Sequence, residues 1–240
     1  MGTKERRMRE IAEREQLFLT AARELIRQDG LLNLQMARVA EKCDYAVGTL
    51  YQHFGSKEDL LVALAADNVQ HRVDLFRRAA AWQAGTRDRM LAVAVADLAF
   101  VKLYPEHFRV AQLAFTEIVW GAASAERRAM ALEAGNPLGR ICDDIVSEAL
   151  GNGDLQARGL SPQEIGLASW ALTFGTHTIV HIDGVLEPAH IADPYRLMLR
   201  HLQTLLNGFG WKPLVDPADT VALDRKIEDI RREVFHDIVR

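Results

Sequence analysis

No stretch of this chain alternates apolar and polar residues with period two over a useful length, and runs of β-branched residues are absent. Apolar side chains recur instead at spacings of three and four, as in Ile11, Phe18, Ala22, Leu25 and Ile26. That repeat lays a single stripe along an α-helix. A sequence patterned this way has no face with which to build a half-buried sheet, so the reading is all-α.

The punctuation divides the helices. Gly30 closes a first helix near residue 28, and Leu34 to Cys43 and Ala46 to His53 read as a short second and third. Ser56-Lys57-Glu58-Asp59 reads as a capping box, with Ser56 accepting from the backbone and Asp59 reaching back. It opens a long helix that runs to about Ala81. A further apolar helix begins near Thr86 and breaks at Tyr104-Pro105. Proline at the first helical position behind a capping residue marks other starts. These are Asn136-Pro137, Ser161-Pro162 with Glu164 completing a box, Asp193-Pro194 and Asp216-Pro217. Gly151-Asn152-Gly153 stops the helix that starts at Pro137. The total is about ten helices without internal repeats, and the one shift in composition sets a domain boundary at residue 56: residues 1–55 and 56–240.

Charge supports that division. Residues 1–57 carry ten Lys and Arg against eight Asp and Glu, whereas the whole chain has a net charge of −4. A mildly basic head on an acidic body suits a head that approaches a polyanion. Only two cysteines occur, Cys43 and Cys142, which suits small apolar side chains in a reducing compartment better than a disulfide framework. The start, MGTKERRMRE, has no apolar signal core, and no run approaches the length of a membrane span. The expected location is the cytoplasm, with no membrane partner.

Ala46 to His53 is barely two turns long, and helices that short are marginal alone. Packing must hold it, and a short second and third helix joined by a tight turn describe a helix-turn-helix, whose third helix lies in the DNA major groove. Residues 39–61, VAEKCDYAVGTLYQHFGSKEDLL, resemble the signature of the TetR family of transcriptional repressors. The resemblance is dense across roughly residues 9–65; beyond them it extends only to the family's general plan of a helical domain that binds a small effector and forms the dimer.

The resemblance implies roles for individual residues. Leu50 and Phe54 would be core, while Tyr51 and Lys57 would reach phosphates. Val47, Gly48, Thr49 and Gln52 would line the base-reading side; Gln52 could pair with adenine and the methyls of Val47 or Thr49 could meet thymine. His53 would contact the DNA backbone. This chain has Gln35 where the family caps its second helix with Thr, Asp44 where it turns on Gly, and Ala46 where a Ser caps the recognition helix and touches phosphate. Gln35 and Ala46 are kept among the DNA-facing residues, and Asp44 could itself cap, starting the third helix a turn early. The run Lys4-Glu5-Arg6-Arg7-Met8-Arg9 reads either as an arm tracking phosphates or as a solvated helix end.

In the body, large apolar side chains crowd residues 86–120 and the helix 161–183. An apolar cavity edged by a few polar groups is the usual form of a small-molecule site. The expected lining is Phe100, Tyr104, Phe108, Gln112, Phe115, Trp120, Trp170, Thr173, Phe174 and His177. Helices 161–183 and 193–209 are the expected dimer contact: Gly166, Ala168, Ala171 and Gly175 permit close approach, and Leu197, Leu199, Leu202, Leu205 and Leu206 form an apolar face. Ala218–Arg240 reads as an additional amphipathic helix.

An alternative is a helical metal-binding or di-iron type enzyme using His177, His181, Glu187 and His190. Pro188 inside Glu187-x-x-His190 argues against a regular helix there, and no hydrolase, phosphate-loop or dinucleotide signature is present. The expectation is therefore a homodimeric repressor, released from a palindromic DNA operator by a small apolar or amphipathic effector, with no cofactor, metal or catalytic residue.

Overall fold

The computed structural model describes residues 3–238. Within them the chain is helical: α1 (Thr3–Asp29), α2 (Met36–Lys42), α3 (Val47–His53), α4 (Lys57–Ala80), α5 (Thr86–Leu103), α6 (Pro105–Ala114), α7 (Glu117–Ala122), α8 (Ala125–Asn152), α9 (Pro162–Val180), α10 (Pro194–Gly208) and α11 (Thr220–Val234). Short 3-10 turns occupy Leu31–Asn33 and Glu187–Ala189. The end of the expected final helix falls partly on residues 239 and 240, which lie outside the described residues. The chain forms two compact units, one of residues up to Val69 with Tyr104–Ala134, the other of Gln70–Leu103 with residues from Gly135 onward. Helices α4 and α8 each contribute residues to both.

In the first unit, α1 to α4 enclose a core of Phe18, Ala22, Val39, Leu50, Phe54, Leu60 and Leu64, all fully buried. Val110 and Ala114 of α6, Val119 of α7 and Ala131 of α8 complete it. Arg23 of α1 binds Asp67 and donates to Asn68 Oδ1 at 3.0 Å, which fastens α1 to the first half of α4.

In the second unit, α5 is the central helix, with every side chain from Met90 to Val101 buried. A helix apolar all round must be surrounded, and α9, α10 and α11 pack against it. Near the N-terminus of α5 the buried Arg87 donates to the Gln203 side chain and to the carbonyls of Gln203 and Trp211. Trp211 Nε1 in turn donates to Thr86 Oγ1 at 3.0 Å.

The structure corrects two helix starts and one capping box. Pro137 lies inside α8 instead of opening a helix. Ser124 starts that helix, its Oγ accepting from Arg127 N at 3.3 Å. Asp216-Pro217 makes a turn, with Asp216 Oδ1 accepting from Ala218 N at 2.8 Å; α11 starts later, capped by Asp219. The box at Ser56 is half formed: Ser56 Oγ accepts from Asp59 N at 3.0 Å, but Asp59 turns its carboxylate to Ser124 N at 2.7 Å. The box at Ser161 and Glu164 forms in full.

Candidate functional site

The turn between α2 and α3 sets the geometry of the candidate nucleic-acid interface. Asp44 has φ 58°, the left-handed conformation that favours glycine. Its N–H donates to Glu41 O at 3.0 Å, and Tyr45 N donates to Ala40 O at 3.0 Å. This pair of bonds is a Schellman closure with aspartate in the glycine position. Tyr45 then packs edge-on against Phe18, with ring centroids 5.4 Å apart.

Asp44 is thus consumed by the turn and does not cap α3, which starts at Val47 with Ala46 as an N-cap that has no side-chain hydrogen bond. The possible early start is thereby corrected: left-handed Asp44 cannot continue into a right-handed helix. Gln35 likewise stands at the N-cap of α2 without a side-chain hydrogen bond. Along α3, Leu50 and the following Phe54 are fully buried, while Val47 is 42% and Tyr51 49% exposed. Gln35, Ala46, Gly48 and Gln52 are also exposed, and Thr49 and Lys57 are half-buried.

His53 sits differently. Its side chain is only 6% exposed, with Nδ1 3.6 Å from Glu15 Oε1 and its ring edge-on to Phe18 at 5.5 Å. Its imidazole therefore faces the seam with α1, not the outer face of α3. Beside it stands one residue that sequence reading missed. Arg127 of α8 donates to Glu15 Oε1 at 2.7 Å and to His53 O at 2.7 Å, with its guanidinium 4.8 Å above the Phe54 ring. It joins the end of α3 to α1 from a helix distant in sequence, and no local pattern announces it. The basic run before Ile11 is helical, within α1, and Arg6 pairs with Glu10 at 2.8 Å.

The residues expected around an effector divide between the units. In the first, Phe108 is buried, Phe115 is 49% exposed and stacks on Trp120 at 5.0 Å, and Tyr104 stacks on His107 at 5.3 Å; Gln112 is half-buried. In the second, Phe100, Thr173 and His177 are buried, Phe174 is half-buried, and Trp170 is 54% exposed.

A charged chain crosses the interior of the second unit. Arg72 of α4 donates to Asp97 Oδ1 at 2.7 Å, and His177 Nε2 lies 3.5 Å from Asp97 Oδ2. Burial alone would raise the Asp97 carboxyl, but Arg72 and His177 override it and hold the group at about 2. Burial pushes the Cys142 thiol the other way, to about 12.

The histidines considered for a metal do not converge. His181 is an exposed residue whose Nδ1 lies 2.7 Å from His177 O, and His190 takes a left-handed conformation after the 3-10 turn. Among the described residues no three His, Cys, Asp or Glu side chains are grouped to hold a metal ion, and no helix is long and apolar enough to cross a membrane.

The leucine face of α10 is also corrected. Leu199, Leu202 and Leu206 are buried within the chain, because α5 and α9 already cover that face. Apolar surface remains on α9, where only Ile165, Thr173 and His177 are buried, while Leu167 is 54% and Ile179 42% exposed.

Comparison with known proteins agrees with this anatomy. Residues 18–64, from the middle of α1 into α4, match the model of bacterial regulatory proteins, tetR family. A 60-residue stretch is 36% identical to the HTH-type transcriptional regulator UidR of Escherichia coli, covering 25% of this chain and 31% of that protein. The chain therefore spans less than a third of the length of the curated relatives it matches. Among solved structures, a bacterial regulatory protein of the tetR family from Rhodococcus RHA1 is similar over 84% of this chain and 98% of its own, at 18% identity and a TM-score of 0.60. The transcriptional regulator FadR from Bacillus subtilis, in complex with stearoyl-CoA, is similar over 80% of this chain and 98% of its own, at 21% identity and a TM-score of 0.60. These structural likenesses concern the fold; the sequence matches concern the head alone. The likeness to the tetR family of bacterial regulatory proteins is thus carried by the head, residues 18–64.

Proposed function

We propose that the protein is a homodimeric, ligand-responsive transcriptional repressor that acts in the cytoplasm, binds a palindromic operator through α3 and is released by a small apolar or amphipathic effector. The observation that carries this reading is the division of α3 itself. Its inner side chains are fully buried, while Val47, Gly48, Tyr51 and Gln52 stand outward from a helix too short to exist alone. Base contacts from Val47, Thr49 and Gln52 would supply sequence choice, with Tyr51 and Lys57 positioned for phosphates. His53 would contribute through its backbone carbonyl, which holds the end of α3 to Arg127.

A second copy of the chain is the proposed cover for α9. That helix is apolar on nearly all sides yet leaves Leu167, Trp170 and Ile179 largely exposed, and a helix of that composition is stable in water only when covered. A two-fold dimer would call for a palindromic operator with half-sites about one helical turn apart or a multiple of it. For the effector, Phe100, Thr173 and Phe174 around the buried His177 are the proposed lining in the second unit; the stearoyl-CoA held by FadR supports an amphipathic class. Since α4 belongs to both units, it is the proposed lever. By linkage, the effector weakens DNA binding by the same factor by which DNA weakens effector binding.

Selection from random duplex DNA, followed by binding at two salt concentrations, tests the reading. An enriched palindrome whose affinity falls steeply with salt is the expected result. Failure to enrich any sequence would remove the repressor reading.

A further inference from the structure

In the first unit, Phe18 of α1 stands edge-on to two rings that bracket α3: Tyr45 just before it, at 5.4 Å, and His53 at its end, at 5.5 Å. One turn earlier on the same face of α1 comes Arg14. Its guanidinium lies over the Tyr45 ring, 5.4 Å from the centroid, and Tyr45 is itself 37% exposed. A guanidinium stacked on an aromatic face is held in place without being neutralised.

Arg14 differs from several other cations of this unit in lacking an anion. Arg23 has Asp67, Arg38 has Asp29 at 2.8 Å, Lys42 has Glu24 at 3.0 Å and Arg127 has Glu15 at 2.7 Å. Glu10, one turn before Arg14, is taken by Arg6. Arg14 is half-buried, yet among the described residues it has no carboxylate within ion-pair distance, and its Nε is buried without a hydrogen-bond partner. A cation partly withdrawn from water and left without an anion gains most when an outside anion reaches it. Tyr45 leads into α3 two residues later, at Val47, so this cation stands beside the start of the helix proposed to enter the major groove.

We propose that Arg14 contacts a phosphate of the bound DNA, with the Tyr45 ring as its positioning residue. The inference rests on the repressor reading above and adds to it a contact from α1 that sets register without reading sequence. Anisotropy titrations of the full-length protein with the selected operator and with a scrambled duplex, over a series of salt concentrations, test it. Arg14→Gln is expected to lose at least about tenfold in affinity for both duplexes. The slope of log affinity against log salt is expected to shrink by about 1 for each protomer bound. Arg14→Lys keeps the charge and is expected to keep the slope. A merely structural role would move the melting midpoint and leave the slope as it was. An unchanged slope in Arg14→Gln, or an equal loss in both variants, would overturn the inference while the repressor reading stands. Wild-type protein that binds neither duplex would remove both.

Discussion

The guanidinium of Arg127 reaches Glu15 Oε1 at 2.7 Å, across more than a hundred residues of sequence, and through the same nitrogen holds the carbonyl of His53. Both side chains are largely buried, at 12% and 23% exposure. The last carbonyl of the reading helix is therefore held by α8, not by its own short hydrogen-bond ladder.

Arg127→Ala should accordingly destabilise the protein by about 2–4 kcal/mol, since removal of one partner leaves the other charge buried and unpaired. Chemical denaturation measures the loss. Operator affinity should fall further than in a surface Arg→Ala control, because α3 loses its attachment. An unaltered midpoint would show that the contact contributes nothing to stability.

At the turn, Asp44→Gly should stabilise by about 0.5–1 kcal/mol, as glycine adopts the left-handed conformation without a side-chain clash. Asp44→Val should destabilise by more than that. Thermal melts of the two variants should move in opposite directions, and a common direction would contradict the observed φ.

The bare N-cap offers a gain. Ala46→Ser places a hydroxyl oxygen where it can accept from the first turn of α3, and is expected to add about 1 kcal/mol. The same hydroxyl stands on the outer face, so a tighter operator complex should accompany the higher melting midpoint in a gel-shift or anisotropy titration.

Acid should act through Asp97. Its folded pKa, about 2, lies below the ordinary value of 3.8, so the stability it contributes is complete above pH 4 and is lost as pH falls towards 2. The stake is about 2 kcal/mol. Asp97→Asn should lower stability at neutral pH and flatten that part of the acid transition. Denaturation of both proteins at a series of pH values decides it; parallel curves would exclude Asp97 as the source.

Charge placed on α9 should separate the copies. Leu167→Asp with Trp170→Asp is expected to convert a dimer to a monomer in sedimentation experiments, with a folded helical spectrum retained. A dimer that persists would move the interface to another surface.

Much of this molecule was legible in local pattern. Spacings of three and four specified helices; Ser161-Pro162-x-Glu164 and Asp193-Pro194 marked starts that the structure keeps; and the alternation of Leu50 and Phe54 with Val47 and Tyr51 already divided α3 into an inner and an outer side. Caps, propensities and periodicity act between residues a turn or two apart, so one strand of letters is enough to express them. Tertiary structure decided what depends on partners far along the chain. Pro137 remained helical within α8, Asp59 capped Ser124 instead of its own helix, Leu199 and Leu202 turned inward on α5, and His53 was drawn into the seam under Arg127. For Asp59 a local capping preference of about a kilocalorie competed with a contact formed across the fold, and the distant contact prevailed.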